Sequence, residues 1–262
     1  MFHVRAYAKI NWSLRITGKR SDGYHDLETL FQTISLHDTL TFTESDQLSL
    51  TCDDPTIPVD DSNLVLRAAR AVGAPPVAIA LHKEIPAGGG LGGGSSDAAA
   101  TLTALGRPPL DDLALSLGSD VPFFLLGGTA YAIGRGEILT PMSRMTGIPL
   151  LLLIPRERVS TALAFGMLQR FSSPLGAERY RRMIDDDLLV HTAELINDFE
   201  EPIFAMLPVL RALKASLYEA GAAWAGMTGS GSTIVGAFRS AAERDAARKR
   251  FEDVRALAAE TV

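Results

Sequence analysis

The sequence predicts an α+β fold in which strands dominate the first part of the chain and helices the last part. Three observations lead to this fold class. An alternating stretch opens the chain, a glycine-rich loop in the middle runs into an alanine-rich helix, and a mostly helical region follows residue 148. The chain has 262 residues, of which 47% are hydrophobic, enough to form the core of one large domain or two modest ones.

The first predicted elements are strands. Val4–Ile16 alternates apolar and polar residues, the pattern of a strand with one buried face, and Lys9 and Asn11 therefore share its polar face. Gly18–Gly23 follows and ends in an Asp-Gly pair, which indicates a turn. A second alternating run, Thr39–Glu44, predicts another strand.

The next elements alternate between helix and strand. Asn63–Val72 is predicted to be a helix because good helix formers fill it and a glycine follows it. Val77–Leu81 is typical of a strand. After the glycine-rich loop, an alanine-rich helix extends to about Leu105, and Asp111–Leu117 predicts a short helix.

The sequence changes character after Ile148, where helical patterns become frequent. This part is predicted to hold a strand at Leu150–Ile154, helices at Thr161–Phe171, Tyr180–Asp186 and Pro208–Ala220, a second glycine loop at Gly226–Gly231, a strand at Thr233–Phe238 and a helix from Ala241. We therefore expect two domains, at residues 1–147 and 148–262.

Composition narrows the classes of function. The formal net charge of −6 argues against a protein that binds nucleic acid or anionic membranes in bulk. Cys52 is the single cysteine and cannot form an internal disulfide, which fits a reducing compartment. The apolar runs are too short to cross a bilayer, and the chain starts in an alternating pattern with no sign of a signal peptide. We expect a soluble cytoplasmic protein.

The glycine-rich loop is the strongest functional signal in the sequence. Six glycines lie within Gly88–Gly94, and Ser95-Ser96-Asp97 then opens the alanine-rich helix. A loop without side chains lets backbone N–H groups approach an anion, and the start of a helix adds the positive end of its dipole. The hydroxyl groups of Ser95 and Ser96 could reach phosphate or magnesium.

Three interpretations of this loop compete. A flexible hinge is one, although six glycines would make it costly in entropy. Gly88, Gly90 and Gly93 also satisfy G-x-G-x-x-G, but Arg107-Pro108-Pro109 follows the helix where a dinucleotide fold needs a second parallel strand. The third interpretation is a phosphate-binding loop for a nucleoside triphosphate. It has no Gly-Lys-Ser/Thr ending, and the chain has no His-Arg-Asp, so neither a Walker loop nor a protein kinase is indicated.

At this point the sequence resembles the GHMP kinases, a superfamily of ATP-dependent small-molecule kinases. The glycine loop Pro86–Ala99 is similar to their ATP loop. Further similarity, spread over the chain from end to end, lies in Ala8–Asn11, Gly18–His25, Thr29–Gln32, Leu117–Phe124 and Met227–Ser232. The extended glycine run and the Asp-Gly-Tyr-His block resemble the branch that acts on a cytidine diphosphate-linked methylerythritol in the non-mevalonate isoprenoid route.

The resemblance implies a two-lobed α+β kinase with ATP and substrate bound in the cleft between the lobes. It implies transfer of the ATP γ-phosphate to the 2-hydroxyl of the erythritol, with Mg²⁺ accompanying the ATP. The partner is then a small cytidine diphosphate compound, with no nucleic acid or membrane involved. The sequence predicts neither the metal ligands nor an oligomeric state.

The resemblance also assigns the catalytic residues. Asp120 would be the base that takes the proton of the attacking hydroxyl, and Lys9 the cation that keeps Asp120 ionised. From the residues alone, Asp120 before Val121-Pro122 is more typical of a helix N-cap. Lys9 alone would be an ordinary solvated lysine on the polar face of a strand.

Binding residues follow from the same motifs. Residues expected to bind ATP are Pro86, Ala87, Gly88, Gly89, Gly90, Leu91, Gly92, Gly93, Gly94, Ser95, Ser96, Asn63 and Lys83. Residues expected to bind substrate are Asn11, Tyr24, His25 and Phe165, with Tyr24 and His25 stacking on and hydrogen-bonding to cytosine and Phe165 as the opposing aromatic. Four of these residues have a simpler alternative role. Asn63 could cap a helix, Lys83 could be a solvated charge, and Tyr24 and His25 could be surface aromatics that close a hairpin.

Two rival functions remain at the level of sequence. One is a GHMP kinase that acts on a different alcohol, of the mevalonate or homoserine type. The other is a non-catalytic module that binds a nucleotide or RNA. The acidic balance and the lack of a basic stripe argue against RNA, and the presence of both Lys9 and Asp120 argues against an inactive enzyme.

Overall fold

The structure of the protein is a computed structural model that describes residues 1–262. Its strands are β1 (Phe2–Lys19), β2 (His25–Glu44), β3 (Ser49–Cys52), β4 (Val77–His82), β5 (Thr129–Gly134), β6 (Ile138–Pro141), β7 (Pro149–Ile154), β8 (Trp224–Met227), β9 (Ile234–Ala237) and β10 (Arg255–Glu260). Its helices are α1 (Leu64–Ala71), α2 (Gly93–Leu105), α3 (Asp111–Leu117), α4 (Val121–Leu126), α5 (Thr161–Gly166), α6 (Ala177–Asp186), α7 (Glu200–Met206), α8 (Pro208–Glu219) and α9 (Ala241–Arg248), with 3₁₀ turns at Leu188–Val190 and Thr192–Glu194. None of the helices has the length and hydropathy needed to cross a bilayer.

The chain forms two compact units that are interleaved along the sequence. One consists of residues 1–9, 36–87 and 92–127, and the other of residues 10–35, 88–91 and 128–262. Strands β1 and β2 and the glycine loop each contribute residues to both units. The chain passes between the units several times, whereas the sequence suggests a single boundary at Gly147. That division into 1–147 and 148–262 stays a prediction.

The first unit combines part of a sheet with helices α1 to α4. Strand β4 pairs antiparallel with Thr39–Glu44 of β2 and parallel with β3. Helices α1 and α2 pack closely because small side chains meet there, among them Ala68, Ala98 and Ala99, all almost fully buried. The core on the sheet side consists of Ala6, Leu40, Phe42, Leu50, Val65, Leu66, Ala69, Val77, Ile79, Leu81 and Ala100.

The second unit contains a four-stranded antiparallel sheet in the order β10–β7–β9–β8. Strand β7 is central, and its residues Leu150 to Leu153 are fully buried, which explains why it is apolar throughout and does not alternate. In the same unit β5 pairs antiparallel with Leu27–Gln32 of β2 and with β6. Helix α9 begins with a capping box between Ser240 and Glu243.

Several sequence predictions of elements are confirmed and others are incomplete. The first strand, the alanine-rich helix, the apolar strand at 150–154 and the last helix lie where expected. The predicted helix Thr161–Phe171 ends earlier, at Gly166, and the first half of β2 was not predicted. In that half the polar side chains of Glu28, Thr29 and Gln32 are buried beside apolar ones, so the period of two is lost.

Candidate active site

Lys9 and Asp120 interact within the first unit. Lys9 lies on β1 and is only 4% exposed. Burial lowers the pKa of its ammonium group, and the negative charge of Asp120 acts in the opposite direction. The interpretation of Lys9 as a solvated lysine is therefore wrong, because the side chain is buried and lies in the field of a carboxylate.

Asp120 occupies the N-cap position of α4, with Pro122 in the first turn, as its sequence context suggests. Its side chain is half-buried and makes no capping hydrogen bond to the helix. The position is that of a cap, but the carboxylate does not act as one. This carboxylate can therefore accept a proton or a hydrogen bond from a ligand.

The glycine loop leaves no room for side chains at two of its positions. Gly88, Gly90 and Gly92 have φ angles of +68°, +79° and +74°, a region that favours glycine. A Cβ on Gly92 would lie 2.6 Å from the ring of Phe124 and 3.2 Å from Cγ of Lys9. A Cβ on Gly90 would overlap the carbonyl oxygen of Thr228. The glycines are thus required by close approach, and the hinge interpretation does not explain them.

Helix α2 starts directly after this loop. Its N-cap is Gly92, with no side-chain cap, so the first N–H groups of the helix have no intrahelical partner and carry the positive end of the helix dipole. The first intrahelical bond runs from the Ser96 N–H to the Gly92 carbonyl oxygen, at 2.9 Å. Such a helix start is suited to binding an anion.

The two serines at the start of α2 differ. Ser95 is half-buried, whereas Ser96 is 3% exposed and its hydroxyl donates to the carbonyl oxygen of Tyr7 at 2.6 Å. Both donors of Ser96 are thus used inside the protein, and its side chain connects α2 to β1. Of the other predicted loop residues, Ala87, Gly88 and Gly94 are exposed, Gly90, Gly92 and Gly93 are half-buried, and Pro86, Gly89 and Leu91 are buried.

Asn63 and Lys83, the two residues outside the loop that are expected to bind ATP, have other partners. The Asn63 side chain caps α1, accepting from the Val65 N–H at 2.9 Å and donating to the Pro58 carbonyl oxygen at 2.6 Å. The capping alternative for Asn63 is confirmed. The ammonium group of Lys83 is 6% exposed and pairs with Asp38 and with Asp97. It is not a solvated charge, and its cation is not exposed to a ligand.

Asn11 lies in the second unit and holds the second glycine loop. Its side chain donates to Oγ1 of Thr29 at 2.7 Å and accepts from the Gly229 N–H at 3.0 Å. Its backbone N–H donates to Oγ1 of Thr228 at 3.1 Å. Asn11 is only 3% exposed, and its hydrogen bonds fix the position of this loop. The loop in turn packs against Gly90, since a Cβ there would overlap the carbonyl oxygen of Thr228.

The aromatic residues after the first hairpin turn lie in the second unit. Tyr24 is 53% exposed, and the guanidinium of Arg135 lies 4.7 Å from the centre of its ring. The rings of His25 and Phe165 stack at 4.7 Å, with Phe171 at 6.2 Å from His25. Burial lowers the pKa of His25, and the charge of Lys19 adds to this. The structure therefore brings His25 and Phe165 together, and their role in binding cytosine stays a prediction.

Four charged residues near these groups were not identified from the sequence. Arg135 lies over Tyr24, and Arg158 is exposed with its Cδ 3.9 Å from the Cβ position of Gly88. Asp38 and Asp97 surround Lys83. The two arginines occupy connections between elements, where spacing carries no periodic signal. Asp97 follows the serines of the glycine motif and could have been noticed there.

The arrangement has two chemical capabilities. A helix start free of side chains can hold phosphate groups by backbone N–H donors. A carboxylate in the field of a buried ammonium can accept a proton from a hydroxyl group. Together these are the requirements of phosphoryl transfer to an alcohol, which asks the protein mainly to position groups and neutralise charge.

Comparison with protein families agrees with these capabilities. The family model "GHMP kinases N terminal domain" matches residues 63–128, and "GHMP kinases C terminal" matches residues 185–255. The 4-diphosphocytidyl-2-C-methyl-D-erythritol kinase of Chlorobium luteolum is 42% identical, covering 97% of this chain and 93% of that protein. The kinase of the same name from Solibacter usitatus is 45% identical, covering 90% of this chain and 81% of its own.

Solved structures extend the comparison. A crystal structure of 4-(cytidine 5'-diphospho)-2C-methyl-D-erythritol kinase matches with a TM-score of 0.85 and 34% identity, covering 99% of both chains. The mevalonate kinase of Methanococcus jannaschii matches with a TM-score of 0.68 and 16% identity, which shows a shared fold.

Proposed function

This chain belongs to the GHMP kinases and, among them, to the 4-diphosphocytidyl-2-C-methyl-D-erythritol kinases, and from that membership we propose how its residues carry out the reaction. It is an ATP-dependent small-molecule kinase of the non-mevalonate isoprenoid route. The reaction moves the γ-phosphate of ATP onto the 2-hydroxyl of 4-diphosphocytidyl-2-C-methyl-D-erythritol. The observation that carries the proposal is that the buried ammonium of Lys9 lies in the electrostatic field of Asp120, in the unit that also holds the start of α2.

Asp120 is the proposed base. Its carboxylate takes the proton of the 2-hydroxyl as the oxygen attacks the γ-phosphorus, and the bond to the β-phosphate oxygen breaks to release ADP. Lys9 neutralises negative charge that develops on the reacting oxygen during the transfer. Because Lys9 is buried, its charge is weakly screened by water.

The phosphates of ATP are proposed to lie along Gly88–Ser95, held by backbone N–H groups of the loop and of the first turn of α2. We add Arg158 to this site, because it is an exposed residue whose Cδ lies 3.9 Å from the Cβ position of Gly88. The protein carries a net charge of −6, so attraction of a triphosphate depends on such local cations. Ser96, Asn63 and Lys83 act in this site by positioning the backbone, since their side chains are engaged within the protein.

Mg²⁺ accompanies ATP in this proposal. No three His, Cys, Asp or Glu side chains lie close enough together to bind a metal ion. Magnesium usually keeps several waters and takes few protein ligands beside substrate phosphates. The residues present therefore suit an ion that arrives bound to the triphosphate, where it would neutralise phosphate charge.

The cytosine base is proposed to bind at Tyr24, His25 and Phe165. The exposed face of Tyr24 offers a stacking surface, and Arg135 supports its other face. The imidazole of His25, with its lowered pKa, is neutral at pH 7. It can donate a hydrogen bond to the base or accept one from it. We place the reaction in the cytoplasm, where ATP is available.

The experiment that tests the proposal is an ADP-release assay with three alcohols. We expect turnover with 4-diphosphocytidyl-2-C-methyl-D-erythritol and background rates with mevalonate and homoserine. CDP should compete with the first substrate, because cytosine recognition does not need the erythritol. Preferred turnover of mevalonate or homoserine would overturn the substrate assignment and leave the kinase chemistry in place.

A further inference from the structure

A buried cluster of charges lies behind the glycine loop in the first unit. It consists of Lys83, Asp38 and Asp97, and we call it the Lys83 cluster. The Lys83 ammonium pairs with the Asp38 carboxylate and with Oδ2 of Asp97, the latter at 2.9 Å. All three side chains are at most 6% exposed. A buried ion cluster gives little net stability for its cost of desolvation, so its presence calls for another explanation.

The cluster connects the two ends of the glycine loop. Asp38, from β2, also accepts the backbone N–H groups of Glu84 at 2.7 Å and Ile85 at 2.8 Å. These residues lead directly into the loop. Asp97 belongs to α2, which leaves the loop. One ammonium group thus connects the segment that enters the loop with the helix that leaves it.

The loop also contacts the cluster directly. A Cβ on Gly93, the first residue of α2, would lie 3.2 Å from the Lys83 ammonium nitrogen. The helix start therefore packs on the charged group itself. Oδ1 of Asp97 is buried without a hydrogen-bond partner, which costs stability. Packing for stability alone does not account for an arrangement with this cost.

We propose that the Lys83 cluster is a positioning device that fixes the two ends of the glycine loop and so sets the affinity for ATP. This rests on the proposed role of the loop. A segment with six glycines has high conformational freedom, and ordering it at the moment of binding would cost affinity. Holding both ends in the free protein reduces that cost. Lys83 then acts on ATP through the backbone and does not contact it.

Electrostatics gives the proposal a sharp test. At an assay pH above 7 Asp97 carries a negative charge near the helix start proposed to bind the triphosphate, so its charge alone opposes ATP binding. Removing that charge would strengthen binding if Asp97 acted only through its field. Loss of the connection to Lys83 would weaken binding. The two effects have opposite signs.

The experiment measures KM for ATP, KM for the cytidine substrate, kcat and melting temperature in Asp97→Ala and Asp97→Asn. In the Ala variant Lys83 loses its link to α2, and we expect KM for ATP to rise about tenfold or more, with KM for the cytidine substrate unchanged. The Asn variant keeps an oxygen that can accept from Lys83, so it should restore most of the affinity. Asp112→Asn, an exposed acid in the first turn of α3, is the matched control.

Binding of a non-hydrolysable ATP analogue is measured alongside, so that the result does not depend on turnover. Absent kinase activity of the unmodified enzyme would refute the proposed function, whereas analogue binding still tests the cluster. Unchanged or tighter ATP binding in Asp97→Ala would overturn the positioning role. If Asp97→Ala does not fold, Asp97→Asn and Asp38→Asn decide: both should weaken ATP binding mildly, and normal binding in both would contradict the proposal.

Discussion

Lys9 and Asp120 are 111 positions apart in the sequence, yet the charge of Asp120 acts on the buried ammonium of Lys9. Burial lowers the pKa of this lysine, and the carboxylate offsets part of that effect. Asp120 stands where a helix cap would stand and does not cap. A residue kept at that position without the capping hydrogen bond is free to serve a reaction, and this relationship supports the catalytic assignment.

Replacement of Asp120 by Asn tests that assignment. We expect kcat to fall by roughly 10²- to 10⁴-fold, the usual contribution of a general base, with KM for ATP nearly unchanged. The melting temperature should fall, because the buried Lys9 loses the negative charge that offsets its desolvation, although no capping hydrogen bond is lost. Steady-state kinetics and thermal melting provide both measurements. Asp111→Asn, at the exposed start of α3, is the control, and full activity of Asp120→Asn would remove it as the base.

Tyr24→Ala tests recognition of the base. Tyr24 is 53% exposed, so its truncation should leave the fold intact. Loss of one stacking surface is expected to raise KM for the cytidine substrate roughly 10- to 100-fold, with KM for ATP unchanged. Tyr218→Ala, an exposed tyrosine on α8, should change neither constant. Equal effects of the two variants would show that Tyr24 has no special role.

Arg158→Gln tests the added phosphate contact. Arg158 is exposed with its Cδ near Gly88, and in the variant a charge-assisted hydrogen bond to phosphate should be lost. We expect KM for ATP to rise about tenfold. Arg156 is an exposed arginine two positions earlier that lines a separate groove with Phe251, and Arg156→Gln is the matched control. A matching rise in both variants would indicate only a loss of general positive charge.

The sequence predicted the parts of the protein that carry strong local signals. Periodicity and composition are enough to predict three elements: the strand β1, the helix after the glycine loop and the apolar strand β7. The α+β GHMP kinase fold inferred from the motifs is confirmed by the comparisons. Strands β5 and β10 were missed because their pairing involves partners distant in sequence, and the four-residue β6 because it is too short to show a period.

The site residues also divide into those that the sequence could identify and those that it could not. The motifs selected His25 and Phe165 as residues around the cytosine, but the direct stacking of their two rings was not predicted. The partners of Lys83 could not be predicted, because a sequence does not say which charges a fold buries together. Asn11 looked like a ligand-binding residue on a polar strand face, but that face is covered by the second glycine loop.

The pH dependence of the free energy of unfolding should reveal the raised pKa of Asp97. Burial raises its pKa to about 7 from 3.8, opposed by Lys83 and supported by the charge of Asp38. Between about pH 4 and pH 7 the folded state therefore holds a proton that the unfolded chain has released. The free energy of unfolding gains a contribution that is present below pH 4 and is lost as pH rises to 7, with a slope of up to about 1.4 kcal/mol per pH unit.

This slope is measured by denaturant unfolding across that pH range. In Asp97→Asn this pH-dependent contribution should be absent, so the stability of the unmodified protein relative to the variant should fall as pH rises from about 4 to 7. The raised pKa of Lys83 acts far above this window and does not interfere. A pH-independent difference between the two proteins would mean that Asp97 is ionised throughout.

Two glycines of the loop form a matched pair for testing why it carries no side chains. Gly88 and Gly90 have similar φ angles, +68° and +79°, so alanine costs a comparable backbone strain at either position. They differ in surroundings: a Cβ on Gly88 meets only Cδ of Arg158 at 3.9 Å, whereas one on Gly90 overlaps the backbone of Thr228. Overlap with backbone must shift the second glycine loop, which Asn11 holds in place. We expect Gly90→Ala to lower the free energy of unfolding by about 1–3 kcal/mol more than Gly88→Ala does, measured by denaturant unfolding of both variants. Equal losses would mean that backbone conformation alone, and not the close approach to Thr228, requires glycine at position 90.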